Sequence, residues 1–309
     1  MRWEKLGLIF EMPFRGLGEF GVSHCANPRA INIGGEIFRI FYCVRDKANR
    51  SSVFAIDFDI SSLSVVNIYE EPFLIYGESD SFFSDGISIG NFYEVDGVWY
   101  LTFMGWTNRE GEHWFGQIGR AELTSDFELV IKSDRTKPMI SLDRFDPISL
   151  SYPWVVKLAD DKYEMWYGST KSWIAESNQE MIHIIRRRVS NDGFNWSEPV
   201  EEIPFEEGVA QAFSSPCVYD FGKYQRMWFS YRSGTGTAYT IGSAISFNER
   251  RWSLTLDEVT VRPSTTKSDW DSEMVEYPFV FPHKGNLYML YNGNGYGKTG
   301  FGLAVLSEQ

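Results

Sequence analysis

The chain has 309 residues, 43% hydrophobic and 17% aromatic, with a formal net charge of −13 and a pI of about 4.9. That acidic balance argues against nucleic acid or an anionic membrane as partner, since both need clustered lysine and arginine. No run reaches transmembrane length, the amino terminus lacks an apolar signal core, and three cysteines (Cys25, Cys43, Cys217) make no even disulfide framework; a reduced cytoplasm and no membrane insertion are expected.

In chain order, the first predicted element is a strand over residues 3–10 that has no local partner. Five copies of one module follow, spaced about 62 residues apart. Each opens on a short apolar strand, led by proline in four copies: Asn27-Pro28, Tyr152-Pro153, Ser215-Pro216 and Tyr277-Pro278. The second copy, Gly86-Ile87-Ser88-Ile89, lacks the proline, and Ile87 is taken as its stand-in. Hairpin signals come next: Gly34-Gly35, Asp96-Gly97, Asp160-Asp161, Gly222 and Lys284-Gly285. Aromatic second strands then centre on Phe41, Thr102, Trp166, Trp228 and Leu290, and third strands run over 52–58, 115–123, 181–189, 239–245 and 300–306. The basic run Arg186-Arg187-Arg188 falls on the third of these and is expected to be a solvated strand face.

Helical periodicity is absent over any long window, whereas alternation and short apolar runs recur throughout. Units of this length built from short strands fit four-stranded blades. The expected fold is all-β: one domain, 1–309, forming a five-bladed β-propeller. The last copy is too short for a fourth strand, so the amino-terminal strand is predicted to complete it and hide an open edge.

In such a ring the starts of the innermost strands converge on one face. Two residues before each proline, or its stand-in, stand Ala26, Asp85, Ser151, Ser214 and Glu276. Two carboxylates with small residues between them is what a cleft for glycosidic bond cleavage needs: one protonates the leaving oxygen, and the other activates water or attacks. Asp85 and Glu276 are therefore the candidate pair, with inversion expected, and Glu273 and Asp271 compete for the same roles. Aromatic rings suit the C–H face of a pyranose, which makes Trp106, Tyr152, Trp154, Trp173 and Trp270 candidate stacking platforms. His24 and Arg29 flank the first opening strand, while Asn292, Asn294 and Lys298 lie on a late loop that could reach the same mouth. Arg29 could hold an acidic sugar or a phosphate, and in a phosphorylase Arg29, Arg232 or Lys298 could hold the inorganic phosphate that replaces water.

The Glu276-Tyr277-Pro278 strand, the Met165-Trp166-Tyr167-Gly168 second strand and the Ser190–Trp196 turn resemble the five-bladed propeller glycosidases. That superfamily comprises arabinanases, β-xylosidases, fructosidases and mannoside phosphorylases. The run from Trp270 to Pro278 with 291–297 is similar to propeller proteins of bacterial surface-polysaccharide gene sets. The resemblance implies a carbohydrate partner, Glu276 as general acid, and a base from an Asp-Pro pair in the first blade. Here that pair is Asn27-Pro28, and an amide cannot take a proton. Asp85 as substitute base, a phosphate-dependent phosphorylase, and a glycan-binding propeller without cleavage all stay open.

Two further motifs lead elsewhere. Residues 293–299 look like a phosphate loop but lack its spacing and precede a strand. The four histidines show no zinc spacing; no cofactor is expected, although a single channel ion such as Ca²⁺ is compatible with the fold.

Overall fold

The computed structural model describes all residues except 14–15, 110–111, 133–135, 159–160, 175–179, 235–236, 248–250 and 308–309. Asp160 of the third hairpin signal thus lies outside the described residues.

The protein is all-β. After β1 (Arg2–Phe10), four antiparallel sets follow in order. The first contains β2 (Ser23–Gly34), β3 (Ile37–Arg45), β4 (Ser51–Asp59) and β5 (Ser64–Ile68). The second contains β6 (Gly86–Val95), β7 (Val98–Thr107), β8 (Phe115–Leu123) and β9 (Leu129–Val130). The third contains β10 (Leu150–Lys157), β11 (Tyr163–Ile174), β12 (Glu180–Ser190) and β13 (Glu201–Glu202). The fourth contains β14 (Ala212–Asp220), β15 (Gln225–Arg232), β16 (Thr240–Ser246) and β17 (Trp252–Leu254). The sequence ends in β18 (Glu276–His283), β19 (Asn286–Asn292) and β20 (Phe301–Ser307), with β1 antiparallel on the outer side of β20.

The tight hairpin turns have a local cause. Val95 pairs with Val98 across Asp96-Gly97, and both turn residues take left-handed angles (φ 50° and 79°). Lys284-Gly285 repeats this between His283 and Asn286. Such two-residue turns match the twist of the strands they join.

The innermost strands pack in succession, β2 on β6, β6 on β10, β10 on β14 and β14 on β18, and β18 returns to β2. Aromatic and aliphatic side chains fill the space between sets: Trp166 meets Trp252 edge-on, Phe38 meets Phe281, and Trp3 of β1 meets Trp228. Trp154 belongs to this filling, since it is buried and lies edge-on to Phe279, 5.6 Å between ring centres.

Two expectations are corrected. The arginine run is not a solvated face, because Arg187 and Arg188 are buried. Arg186 and Arg188 share Asp146 at 2.9 and 2.5 Å, and Arg187 pairs with Glu201 at 2.9 Å and Glu164 at 3.3 Å. Burial is tolerable because every one of these charges has an opposite partner. The second correction concerns register. In the four proline-led strands the ladder skips two residues, Tyr152-Pro153, Ser215-Pro216 and Tyr277-Pro278 among them. In β6 the same skip falls between Ile89 and Phe92, at Gly90-Asn91. The stand-in for proline is therefore Asn91, not Ile87, and the residue matching Glu276 is Ile89, not Asp85.

Candidate functional site

The skipped residues shape the mouth. Asn27, Tyr152, Ser215 and Tyr277, each just before a proline, all adopt left-handed backbone angles (φ 53°, 38°, 52° and 54°). Proline cannot donate to the ladder, so the strand kinks there instead of pairing. The kinks bring the tyrosine rings of the third and last sets together: Tyr152 and Tyr277 lie 5.1 Å apart, with the Tyr152 hydroxyl donating to that of Tyr277 at 3.2 Å.

Around this pair opens a pocket of about 420 Å³. Of the residues expected at the site, Trp106, Tyr152, Trp173, Ser214 and Arg232 line it. Ser151 lines it too, at one of the strand-opening positions expected to face the mouth, and the other walls were not anticipated. Trp114, Tyr239, Tyr277 and Tyr296 add aromatic surface, Arg45 and Glu112 add charge, and Ser151, His113 and His183 add a polar network. Within that network Ser151 Oγ lies 2.6 Å from His183 Nε2, and Thr170 Oγ1 lies 2.8 Å from His183 Nδ1. Burial, then His113, pulls the His183 pKa down to about 3, so its imidazole is neutral. A sequence signal for these histidines existed only in hindsight: His183 faces inward because it pairs with Thr170, two residues past the Trp166-Tyr167-Gly168 run.

Glu276 sits directly before Tyr277. Its side chain is wholly buried, and neither carboxyl oxygen has a partner among the described residues. Burial alone pushes its pKa well above the usual carboxylate range, which favours the protonated form. It lies close enough to Tyr239, Tyr277, Tyr152 and Tyr296 to act on their ionisation. Opposite it in register stands Asn292, whose Oδ1 accepts the backbone N–H of Asn27 at 3.1 Å. Asn292 Nδ2, Asn27 Oδ1 and the Ser214 Oγ are likewise buried and partnerless among the described residues. Unsatisfied polar atoms cost about 1–3 kcal/mol each, so a cluster of them beside a pocket marks a place for ligand or solvent.

The other candidates fall elsewhere. Asp85 does not line the pocket; its Oδ2 accepts the backbone N–H of Asn108 at 2.7 Å. Glu273 is exposed, and its backbone N–H goes to Asn294 Oδ1, which also takes that of Met274. Asp271 is buried and holds Lys5 of β1 at 2.6 Å and the Tyr291 hydroxyl at 3.1 Å. Trp270 lies against Tyr291 under the loop. Arg29 is fully buried and spent on the protein itself: Nε donates to Gly90 O at 2.5 Å, Nη1 to Pro28 O at 3.0 Å, and Nη2 to Ser215 Oγ at 2.8 Å. Lys298 is exposed near His24, whose pKa falls to about 4 through burial, then Arg45, then Lys298.

No protein-family model matches this sequence. Two curated proteins of Mycobacterium tuberculosis align with it from end to end. "Uncharacterized protein MT1551" (strain CDC 1551 / Oshkosh) is 39% identical over 314 residues, covering 100% of both proteins. "Uncharacterized protein Rv1502" (strain ATCC 25618 / H37Rv) is 39% identical over 315 residues, again covering 100% of both. This protein belongs to the family of MT1551 and Rv1502. The fold of this MT1551/Rv1502 family member is that of the propeller glycoside hydrolases. A structure named "Glycoside hydrolase" superposes with a TM-score of 0.70 at 14% identity, over 94% of this sequence and 91% of its own. An endo-arabinase from Bacteroides thetaiotaomicron VPI-5482 gives 0.64 at 13%, over 94% and 98%. A GH130 structure, from a family of mannoside phosphorylases containing hydrolases of β-1,2 mannosidic linkages, gives 0.66 at 13%, over 93% and 85%.

Proposed function

We propose that this protein is carbohydrate-active: its pocket binds a saccharide, and Glu276 protonates the oxygen of a glycosidic bond. The fold is read as five blades in one domain, with β1 completing the last. The observation that carries the reading is the wholly buried, partnerless carboxyl of Glu276. It does not itself line the pocket but sits beside Tyr277 and within electrostatic reach of the tyrosines that do. A general acid must hold its proton at working pH, and burial shifts this one towards its protonated form. The tyrosine and tryptophan walls offer faces for sugar rings, while Ser214 and Asn292 offer hydrogen bonds to hydroxyls. The similarity in fold to glycoside hydrolases and mannoside phosphorylases agrees with this.

The test is turnover of a broad oligosaccharide panel, with and without inorganic phosphate, by wild type and Glu276→Gln. We expect the variant to lose at least about 100-fold in kcat/KM. Equal turnover by both would remove Glu276 from the chemistry.

A second reading, recognition without cleavage, is favoured by one observation. Asp85 turns to the Asn108 backbone, and Asn27 is an amide, so the partner carboxylate that hydrolysis needs is missing from the pocket's paired positions. Calorimetry showing saccharide binding unchanged by Glu276→Gln, with no product after long incubation, would select this reading.

A further inference from the structure

The charge of the pocket runs against the charge of the molecule. The whole protein carries −13, yet among the described residues the charged side chains lining the pocket are Arg45 and Arg232 against Glu112. Glu112 is about half-exposed and leans towards Arg109 at 3.8 Å. Burial raises the pKa of the nearby Glu276 carboxyl, favouring its uncharged form, and lowers that of the His183 imidazole to about 3. The pocket is therefore a positive spot in an acidic protein, where low-dielectric walls concentrate the field.

No carboxylate pairs with either arginine among the described residues. Among the described residues, Arg45 donates to the Asn49 carbonyl at 2.9 Å and to no carboxylate, and its guanidinium lies over the Trp106 ring at 5.0 Å. Arg232 lies over the Tyr239 ring at 5.3 Å, and its buried Nε has no partner among the described residues. Each cation is thus held on an aromatic face, which fixes the plane of the fork without saturating its donors. On the neighbouring strand, Ala212 stands opposite Arg232, and two residues on, Ser214 presents its partnerless Oγ. Arg232 ends β15 and Arg45 ends β3, so the two charges come from different sets.

We propose that the saccharide is anionic, a sugar bearing a carboxylate or a phosphate that seats on Arg232 and Ser214, with Arg45 as the second positive charge across the pocket. The inference rests on the saccharide-binding reading above and adds its charge class. A planar fork meets a carboxylate or phosphate with two parallel hydrogen bonds, and the anion fills the donors the protein leaves open. A neutral sugar would leave both cations without a counter-charge.

The experiment is an array of defined neutral oligosaccharides and their uronate and phosphorylated counterparts, followed by calorimetry of matched pairs. We expect the acidic member to bind at least about 10-fold more tightly than its neutral counterpart, with uronates and sugar phosphates tested separately to tell the two anions apart. Arg232→Gln should erase that preference while keeping the wild-type melting temperature. For wild type alone, raising salt from about 0.05 M to about 0.5 M should weaken the acidic ligand several-fold and leave any neutral one unchanged. Equal binding of acidic and neutral members overturns the inference and leaves the saccharide reading standing. Retention of no saccharide of either kind ends both. Inorganic phosphate alone binding as tightly as any acidic sugar removes the sugar from the proposal.

Discussion

Two buried groups give this molecule opposite responses to pH. Glu276 has a folded pKa raised above its unfolded value of 4.5. Its neutral form is the one burial favours, so its contribution is fully present below about pH 4.5 and is lost as pH rises through the folded pKa. His183 runs the other way: its folded value of about 3 lies below the unfolded 6.5, so its contribution is complete above pH 6.5 and is lost as pH falls towards 3. A tenfold difference in proton affinity between the folded and unfolded states corresponds to about 1.4 kcal/mol. We therefore expect Glu276→Gln to stabilise the fold relative to wild type more at about pH 8 than at about pH 5, and His183→Gln to flatten the acid limb of the stability profile. Melting temperatures of both variants across that range are the check. Parallel pH curves for Glu276→Gln and wild type would mean that the carboxyl is solvated and not confined.

Among the elements, the opening strands were legible wherever proline marked the kink. The step from Glu276 to Tyr277-Pro278 in β18 matches Ser151 to Tyr152-Pro153 in β10, so the register of Glu276 with Ser151 and Ser214 could be read directly. β6 lacks the proline, and its kink at Gly90-Asn91 was hidden inside an ordinary apolar run. The reason for glycine there is spatial: a Cβ on Gly90 would come within 2.3 Å of both the Pro153 carbonyl and Thr102 Oγ1. The Gly90 carbonyl also takes the shortest bond of Arg29. That arginine joins β2 to β6 and β14 as a bolt through the middle of the strands, so its charge was legible but its use was not. No salt bridge balances it among the described residues, and burial lowers its pKa to about 10. Arg29→Met should cost on the order of 3 kcal/mol in a denaturant titration, because Gly90 O and Ser215 Oγ would be left buried without a donor. A change below about 0.5 kcal/mol would mean that the bolt holds nothing together.

At the scale of the molecule, the decisive pairing joins the two ends of the sequence. β1 lies along β20 from Arg2 opposite Ser307 to Phe10 opposite Phe301. Three side-chain contacts reinforce it: Lys5 on Asp271 at 2.6 Å, the Trp3 indole N–H on the Val259 carbonyl at 3.0 Å, and Trp3 edge-on to Trp228. Asp271 as an anchor of this pairing was not foretold, since a carboxylate in a loop before Glu276 reads equally well as a site residue. Removing residues 2–10 would expose the whole edge of β20 and leave Asp271 buried without its cation, a loss of about 3–5 kcal/mol for the ion alone. We expect the truncated protein to aggregate or to melt well below the full-length one, and a synthetic peptide of the missing strand, added in trans, to restore solubility and the melting temperature. Lys5→Met should reproduce part of the loss, and adding Asp271→Asn should recover most of it, since the amide needs no counter-charge and still accepts from Tyr291. A truncated protein that melts with the full-length one would show that β1 only rests on the last sheet, and the proposed closed ring would then have to be held by its inner strands alone.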